Sequence, residues 1–447
     1  MVANSLATLM LTNEARALLA RLARLKSFVL YETMVPAAAA SLAAQVAIEN
    51  YLIQGRRQLR TMVHGFLRWL RAPEGRNATP EEAQRHFTFL RLRFNDVLSQ
   101  FDLFADVITQ RSENQTGVWL SGLDSVAADA LALPGGYYEP PPVMCYLDRG
   151  PGAAIRRART RMPGGGENPV AIVRVPRERM VGSGIASSLV HEVGHQGAAL
   201  LDLVTSLRPV LQRMQNGDGA AADAWRLYER WISEIVADLW SVARVGIAAP
   251  MGLIAVVSLP RAFVFRIGLD DPHPFPWIRV KLSCAMGKAL YPHPQWDRLA
   301  GLWESFYPPT GLDPERRSLL ALLEATIPRF VGVLIAHRPK SLRGKSLGEV
   351  LAAADRQPAR LAAVYRTWLN VPRRLRSVRP TLAFAAIGQA KADGRITPEE
   401  ESRLLGDLLT YWAMRSTLDA SQICVARPRE SARPTLTVPQ RPSLLLT

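Results

Sequence analysis

The chain has 447 residues, 48% of them hydrophobic and 21% charged, and 55 Lys+Arg against 39 Asp+Glu give a net charge of +16. This balance excludes a disordered or low-complexity polymer and leaves material for two or three domains, or for one large domain with appendages. The positive charge favours anionic surfaces, but arginine is spread over the whole chain and no nucleic-acid module is recognisable, so no specific nucleic-acid partner is expected.

In chain order, the N-terminal stretch lacks a basic start followed by a clean apolar run, and Glu14 interrupts it. It does not read as a signal peptide. Residues 12–72 carry apolar residues at spacings of three and four, which predicts helices. Thr79-Pro80-Glu81-Glu82 predicts a helix start, with a capping hydroxyl, proline in the first turn and acids at the positive end.

Residues 134–168 are rich in Pro and Gly and predict a loop, of a composition that would suit a lid over the site. Short extended pieces are expected at "VMCYLD" and "PVAIVRVP". In the second, Ala171, Val173 and Val175 would share one strand face, and Val170, Ile172 and Arg174 the other. Helices are then predicted over about 185–204 and 221–245.

The best candidate for a membrane span, residues 246–265, is interrupted by Pro250, Pro260 and Arg261 and reads as a buried segment instead. Further helices follow to about 370, then a linker-like "VPRRLRSVRP", a small helical module at 380–416 and a Pro-rich tail from 427 expected to be disordered. The expected class is mainly α with a small β-sheet (α+β). The expected divisions are a helical N-terminal region 1–133, a core 134–310, a helical extension 311–370, the module 380–416 and the tail 427–447.

Three cysteines, Cys145, Cys284 and Cys424, lie far apart without a CxxC pair. That pattern points to a reducing compartment, and a cytoplasmic location is expected.

The chemistry concentrates in "SSLVHEVGHQGAALL", residues 187–201. His191 and His195, four apart on a helix, place both imidazoles on one face, where they can bind one tetrahedral zinc. Glu192 stands beside the first histidine, able to approach a water at the metal without being a ligand. A third ligand is offered by "WISEIVADLW" on the next strong helix. There Glu234 and Asp238 share a face, Glu234 for the metal and Asp238 for a histidine ring nitrogen. Asp238 has Ile235, Val236, Leu239 and Trp240 around it in sequence, and a carboxylate in apolar company needs a partner.

HExxH followed by ExxxD resembles the gluzincin superfamily of zinc metallopeptidases, and "HEVGH" with "SEIVADLW" is similar to its CAAX-protease and heat-shock-metalloprotease branch. The likeness covers roughly residues 165–285. It implies a zincin-like core, one zinc ion per chain, His191, His195 and Glu234 as ligands, Glu192 as general base and Asp238 as the carboxylate behind a ligand. It also implies that the extended "NPVAIVRVP" is an edge strand binding substrate backbone. The branch often carries His-Pro followed by arginine, supplied here by His273, Pro274 and Arg279 in "DDPHPFPWIRV". His273 and Arg279 are therefore candidates to stabilise an oxyanion. No third histidine follows the motif closely, which disfavours the metzincins. The branch usually spans the membrane and this sequence offers no comparable span, so membrane substrates are not implied.

The expected activity is hydrolysis of a peptide bond by a zinc-activated water, with a protein or peptide as substrate. Two alternatives stand beside it: a non-catalytic scaffold that keeps zinc for structure, and hydrolysis of a non-peptide amide. His64, His86 and His337 lack partner motifs, and His293 reads as a loop residue. Tyr137 and Tyr138 are equally oxyanion donors or packing aromatics. In "QAKADGRITPEEE", Lys391 falls at a ligand position of an EF-hand register and repels calcium, so Thr397 and Pro398 are read as a helix start. That segment also resembles tellurite-resistance-type helical domains over about forty residues, which implies an interaction module and a protein partner.

Overall fold

The computed structural model describes residues 2–24, 35–149, 152–162, 165–177, 181–268, 270–370, 374 and 377–426. It is mainly helical with one three-stranded sheet, an α+β arrangement. The expected tail from 427 and half of the linker-like segment lie outside the described residues.

Strand β1 (Val143–Asp148) runs parallel to strand β3 (Ala171–Pro176), pairing Val143 with Ala171 and Cys145 with Val173. Strand β2 (Ala154–Arg156) pairs antiparallel on the other side of β3. The spatial order is β1-β3-β2.

The sheet is covered on both faces, which explains its weak alternation. Cys145, Ala171, Val173 and Val175 pack into the larger core, which also holds the motif helix Ser183–Leu200 and the glutamate helix Ala222–Val245. Met144, Val170 and Ile172 pack into a second core built by the N-terminal helices Val2–Arg24, Leu42–Arg71 and Pro80–Thr109. Period-two geometry thus sends alternate side chains of one apolar strand into two different cores.

Helix Pro80–Thr109 starts at the expected capping box. The Thr79 amide donates to Glu82 Oε2 at 2.8 Å, and the Glu82 amide donates to Thr79 Oγ1 at 3.2 Å. Arg111, fully buried, holds Asp124 through two bonds of 2.9 and 3.1 Å and donates to the Cys145 carbonyl, tying the helical bundle to β1.

The larger core draws on helices from several of the expected divisions. Helix Asn114–Leu131 contributes Leu120, Leu123 and Val126 to it. Helix Pro380–Ala392 contributes Phe384 and Ile387, and helix Pro398–Ala426 contributes Leu405 and Leu409. A Cβ on Gly122 would lie 2.4 Å from the Leu409 carbonyl oxygen, so helices 114–131 and 398–426 touch backbone to backbone. The segment 380–416 shares its core with the motif helix because two helices alone bury too little apolar surface to form a core of their own.

The membrane candidate 246–265 forms a ten-residue helix, Ala248–Val257, and a short one, Arg261–Val264. Among the described residues, helix Pro314–Ala336 is long and apolar enough to cross a bilayer by length and composition. Its Leu323, Ile327, Phe330 and Leu334 are buried, with the Phe330 ring stacked on Tyr228 at 4.1 Å.

Candidate metal centre

The motif helix and the glutamate helix approach unusually closely because the contact is made by glycines. A Cβ on Gly194 would lie 2.9 Å from Ala237 Cα, and one on Gly197 would lie 2.5 Å from the Trp240 ring. Gly194 lies inside the His-Glu-Val-Gly-His motif, so the motif carries its own packing site. This approach lets side chains of the glutamate helix reach both histidines.

Glu234 receives both. Its Oε2 is 3.2 Å from His191 Nε2 and its Oε1 is 3.4 Å from His195 Nε2. The rings stand nearly perpendicular, with centroids 4.9 Å apart. These three residues are the one group among the described residues whose donor atoms could hold a metal, all within 4.8 Å of one another. The spacings of 3.2 and 3.4 Å match the edge of a tetrahedron with bonds of about 2.0–2.1 Å, as zinc prefers with nitrogen and oxygen donors.

The inner ring nitrogens are also engaged. His191 Nδ1 lies 2.7 Å from Asp238 Oδ1, short for an ion pair but off the line of an ideal N–H···O bond. His195 Nδ1 lies 3.4 Å from Ser233 Oγ. With each Nδ1 facing a partner, both Nε2 atoms are left for a metal. The donor set therefore fits zinc.

Arg279, on helix Pro276–Leu290, holds Asp238 through both oxygens, Nε to Oδ2 at 2.7 Å and Nη2 to Oδ1 at 2.9 Å. Its Nη2 also lies 3.5 Å from Glu234 Oε2. Arg279 thus pairs with Asp238 and lies against the candidate donors themselves, its Nη2 being 3.5 Å from His191 Nε2 as well. His273 is half exposed, with Nε2 3.4 Å from Glu234 Oε2 and Nδ1 2.8 Å from Asp271 Oδ1. Asp271 was not foreseen as a site residue. Its position two residues before His273, in "DDPHP", is the only sequence signal for it.

The electrostatics follow from burial and these contacts. For His191, burial works against the proton, but Asp238 and Glu234 outweigh it and raise its pKa to about 9. Burial and the charge of His191 lower His195 to about 4. Burial works against ionisation of Glu234, yet His191, His195 and Arg279 hold it at about 2. Asp238 likewise stays well below the usual carboxylate range: burial opposes its charge, and Arg279 and His191 favour it. Glu192 is shifted upward by burial and by Glu234, the direction that suits a proton acceptor and donor near neutrality.

All seven residues singled out from the sequence, His191, Glu192, His195, Glu234, Asp238, His273 and Arg279, line one cavity of about 570 Å³. One expectation is corrected. The piece "NPVAIVRVP" forms β3, the middle strand, paired on both sides, and is no edge. The outer strand on the cavity side is β2, and Gly152–Ile155 line the cavity. Three residues with one β-branched side chain were too short a signal to read. Gln196, next to His195, fixes this strand segment by accepting the Ala158 amide at 2.7 Å.

The remaining candidates lie elsewhere. Tyr138 donates its hydroxyl to the Leu131 carbonyl and the Tyr137 ring lies under Arg343, so both are packing residues. His86 packs on Trp69, His337 Nε2 is 3.0 Å from Ser206 Oγ, and His293 accepts the Gln295 amide. Thr397 caps helix Pro398–Ala426 in a capping arrangement with Glu400. Comparisons with protein families, with curated proteins and with solved structures gave no match.

Proposed function

We propose that the chain is a zinc-dependent metallohydrolase of zincin-like architecture, acting on peptide bonds. The observation that carries this reading is the convergence of His191 Nε2 and His195 Nε2 on the Glu234 carboxylate, at 3.2 and 3.4 Å. That donor set opens into the cavity where Glu192 stands. A bound zinc ion would polarise the scissile carbonyl and acidify a water molecule.

The chain's own residues do the rest. Glu192 accepts the proton of the attacking water and returns it to the leaving amine. His273, oriented by Asp271 and half exposed, donates to the oxygen on which negative charge develops. Arg279 and Asp238 hold His191 in place. The strand segment Gly152–Ile155 offers main-chain groups to an extended peptide, which favours a peptide over a compact amide.

The test is zinc content and peptide hydrolysis by wild type, His191→Ala and Glu192→Gln. One zinc per chain, lost with His191, and hydrolysis lost with Glu192 while zinc is retained, would support the reading. A wild-type protein that takes up no zinc at neutral pH would refute it.

A further inference from the structure

The motif helix begins without a cap of its own. Its N-cap residue is Gly182, at φ 136° and ψ 155°, which has no side chain to accept the first amides. The first amides of a helix need acceptors. One is supplied from the far end of the chain: the Ser183 amide donates to Glu401 Oε1 at 3.0 Å. Glu401 is only 3% exposed. A carboxylate so deeply buried requires a counter-charge, and Lys391 Nζ donates to its Oε2 at 2.6 Å. Lys391 ends helix Pro380–Ala392 and Glu401 starts helix Pro398–Ala426. One ion pair therefore joins both C-terminal helices to the positive end of the motif helix.

The start of that helix has little slack. It crosses helix Ala248–Val257 at Gly184, where a Cβ on Gly252 would lie 3.0 Å from Gly184 Cα and 2.0 Å from Ser187 Oγ. The Ser187 carbonyl accepts from Ser241 Oγ of the glutamate helix at 3.1 Å. Ser187 and Ser188 line the cavity, and His191 follows one turn later. A shift at Ser183 is passed along a rigid rod to the first ligand.

We propose that Glu401 is a positioning residue for the metal centre, capping the motif helix from outside its own segment and holding its first turns in register with Glu234. The C-terminal helix pair is then a working part of the site. This rests on His191, His195 and Glu234 being metal ligands.

The experiment uses the full chain as wild type, Glu401→Ala, Glu401→Gln and Leu408→Ala, the last a buried residue two turns further along the same helix. Zinc dissociation constants are measured by chelator competition, and amide exchange is followed over residues 183–191. Glu401→Ala is expected to weaken zinc binding about tenfold and to speed exchange at 183–188. Glu401→Gln keeps the acceptor but not the charge, and is expected to weaken binding about threefold. Leu408→Ala is expected to lower Tm and leave the zinc constant within about twofold of wild type.

Unchanged affinity in Glu401→Ala, or in Glu401→Gln if the alanine variant does not fold, overturns the proposal. So does an equal loss of affinity in Leu408→Ala, which would assign the effect to packing. A wild-type protein that binds no zinc overturns the metal reading itself and this role with it.

Discussion

Asp238 stands behind His191: its Oδ1 is 2.7 Å from His191 Nδ1, on the side of the ring away from Glu234. The same carboxylate carries Arg279 on both oxygens. One side chain thereby pairs with a candidate ligand and neutralises a buried cation. Asp238→Asn removes both effects. Breaking such a buried pair costs about 3–5 kcal/mol, and losing the carboxylate behind a ligand costs about 10–100-fold in metal affinity. Urea unfolding and zinc competition on one preparation would read both numbers. Wild-type affinity in the variant would show that Asp238 does not orient the ligand.

Glu192→Gln should keep the volume and one acceptor at this position while removing the base. Zinc content should stay at wild-type level and kcat should fall by at least about 10²-fold. A variant with normal kcat would remove Glu192 from the chemistry.

His273→Ala should leave zinc bound and lower kcat by about 10²–10³-fold, because it removes one donor to the developing charge. Asp271→Asn should have a smaller effect in the same direction, since it only loosens the orientation of His273. An increase in KM with unchanged kcat would instead make His273 a substrate-binding residue.

In the metal-free protein the raised pKa of His191, about 9 against an ordinary 6.5, fixes the sign of a pH effect. Pairing with Asp238 and Glu234 stabilises the fold fully below pH 6.5, and that contribution is lost as pH rises through about 9. On the proposed metal reading, zinc would displace the proton on His191, so zinc affinity should increase over the same window and uptake near pH 7.5 should release about one proton per chain. Calorimetry in buffers of different ionisation enthalpy counts that proton. Flat affinity between pH 6.5 and 8.5 would contradict the raised pKa.

Gly194→Ala adds a methyl group where Ala237 Cα and the Ala237 carbonyl already lie at 2.9 and 3.0 Å from the new atom. Backbone cannot swing aside as a side chain can, so the two helices must part. A loss of about 1–3 kcal/mol is expected, with weaker zinc binding because Glu234 withdraws from both histidines. A stability measurement equal to wild type would mean that the helices separate without cost.

Local signals were legible wherever the physics is local. The four-residue spacings of His191 with His195 and of Glu234 with Asp238 follow from helix pitch alone, and so does the shared face of each pair. The capping box at Thr79 and the helix start at Thr397 are written in a few consecutive residues. The two apolar faces of β3 were visible as well, although not the reason for them, which is that two different cores meet at the sheet.

The tertiary structure decided what depends on partners distant in sequence. The position of β3 between two strands, and of β2 at the cavity, depends on pairing that periodicity cannot specify. The continuity of the core through helices Pro380–Ala392 and Pro398–Ala426 depends on which apolar faces meet, and apolar burial is non-directional. The ion pair of Glu401 with Lys391 and its bond to the Ser183 amide span most of the chain, and no local pattern encodes them. The residue types and helical spacings of the site were therefore set by the sequence alone. Their convergence on a single cavity was set by packing, because it depends on how closely two helices approach, and here glycines at the contact allow that approach.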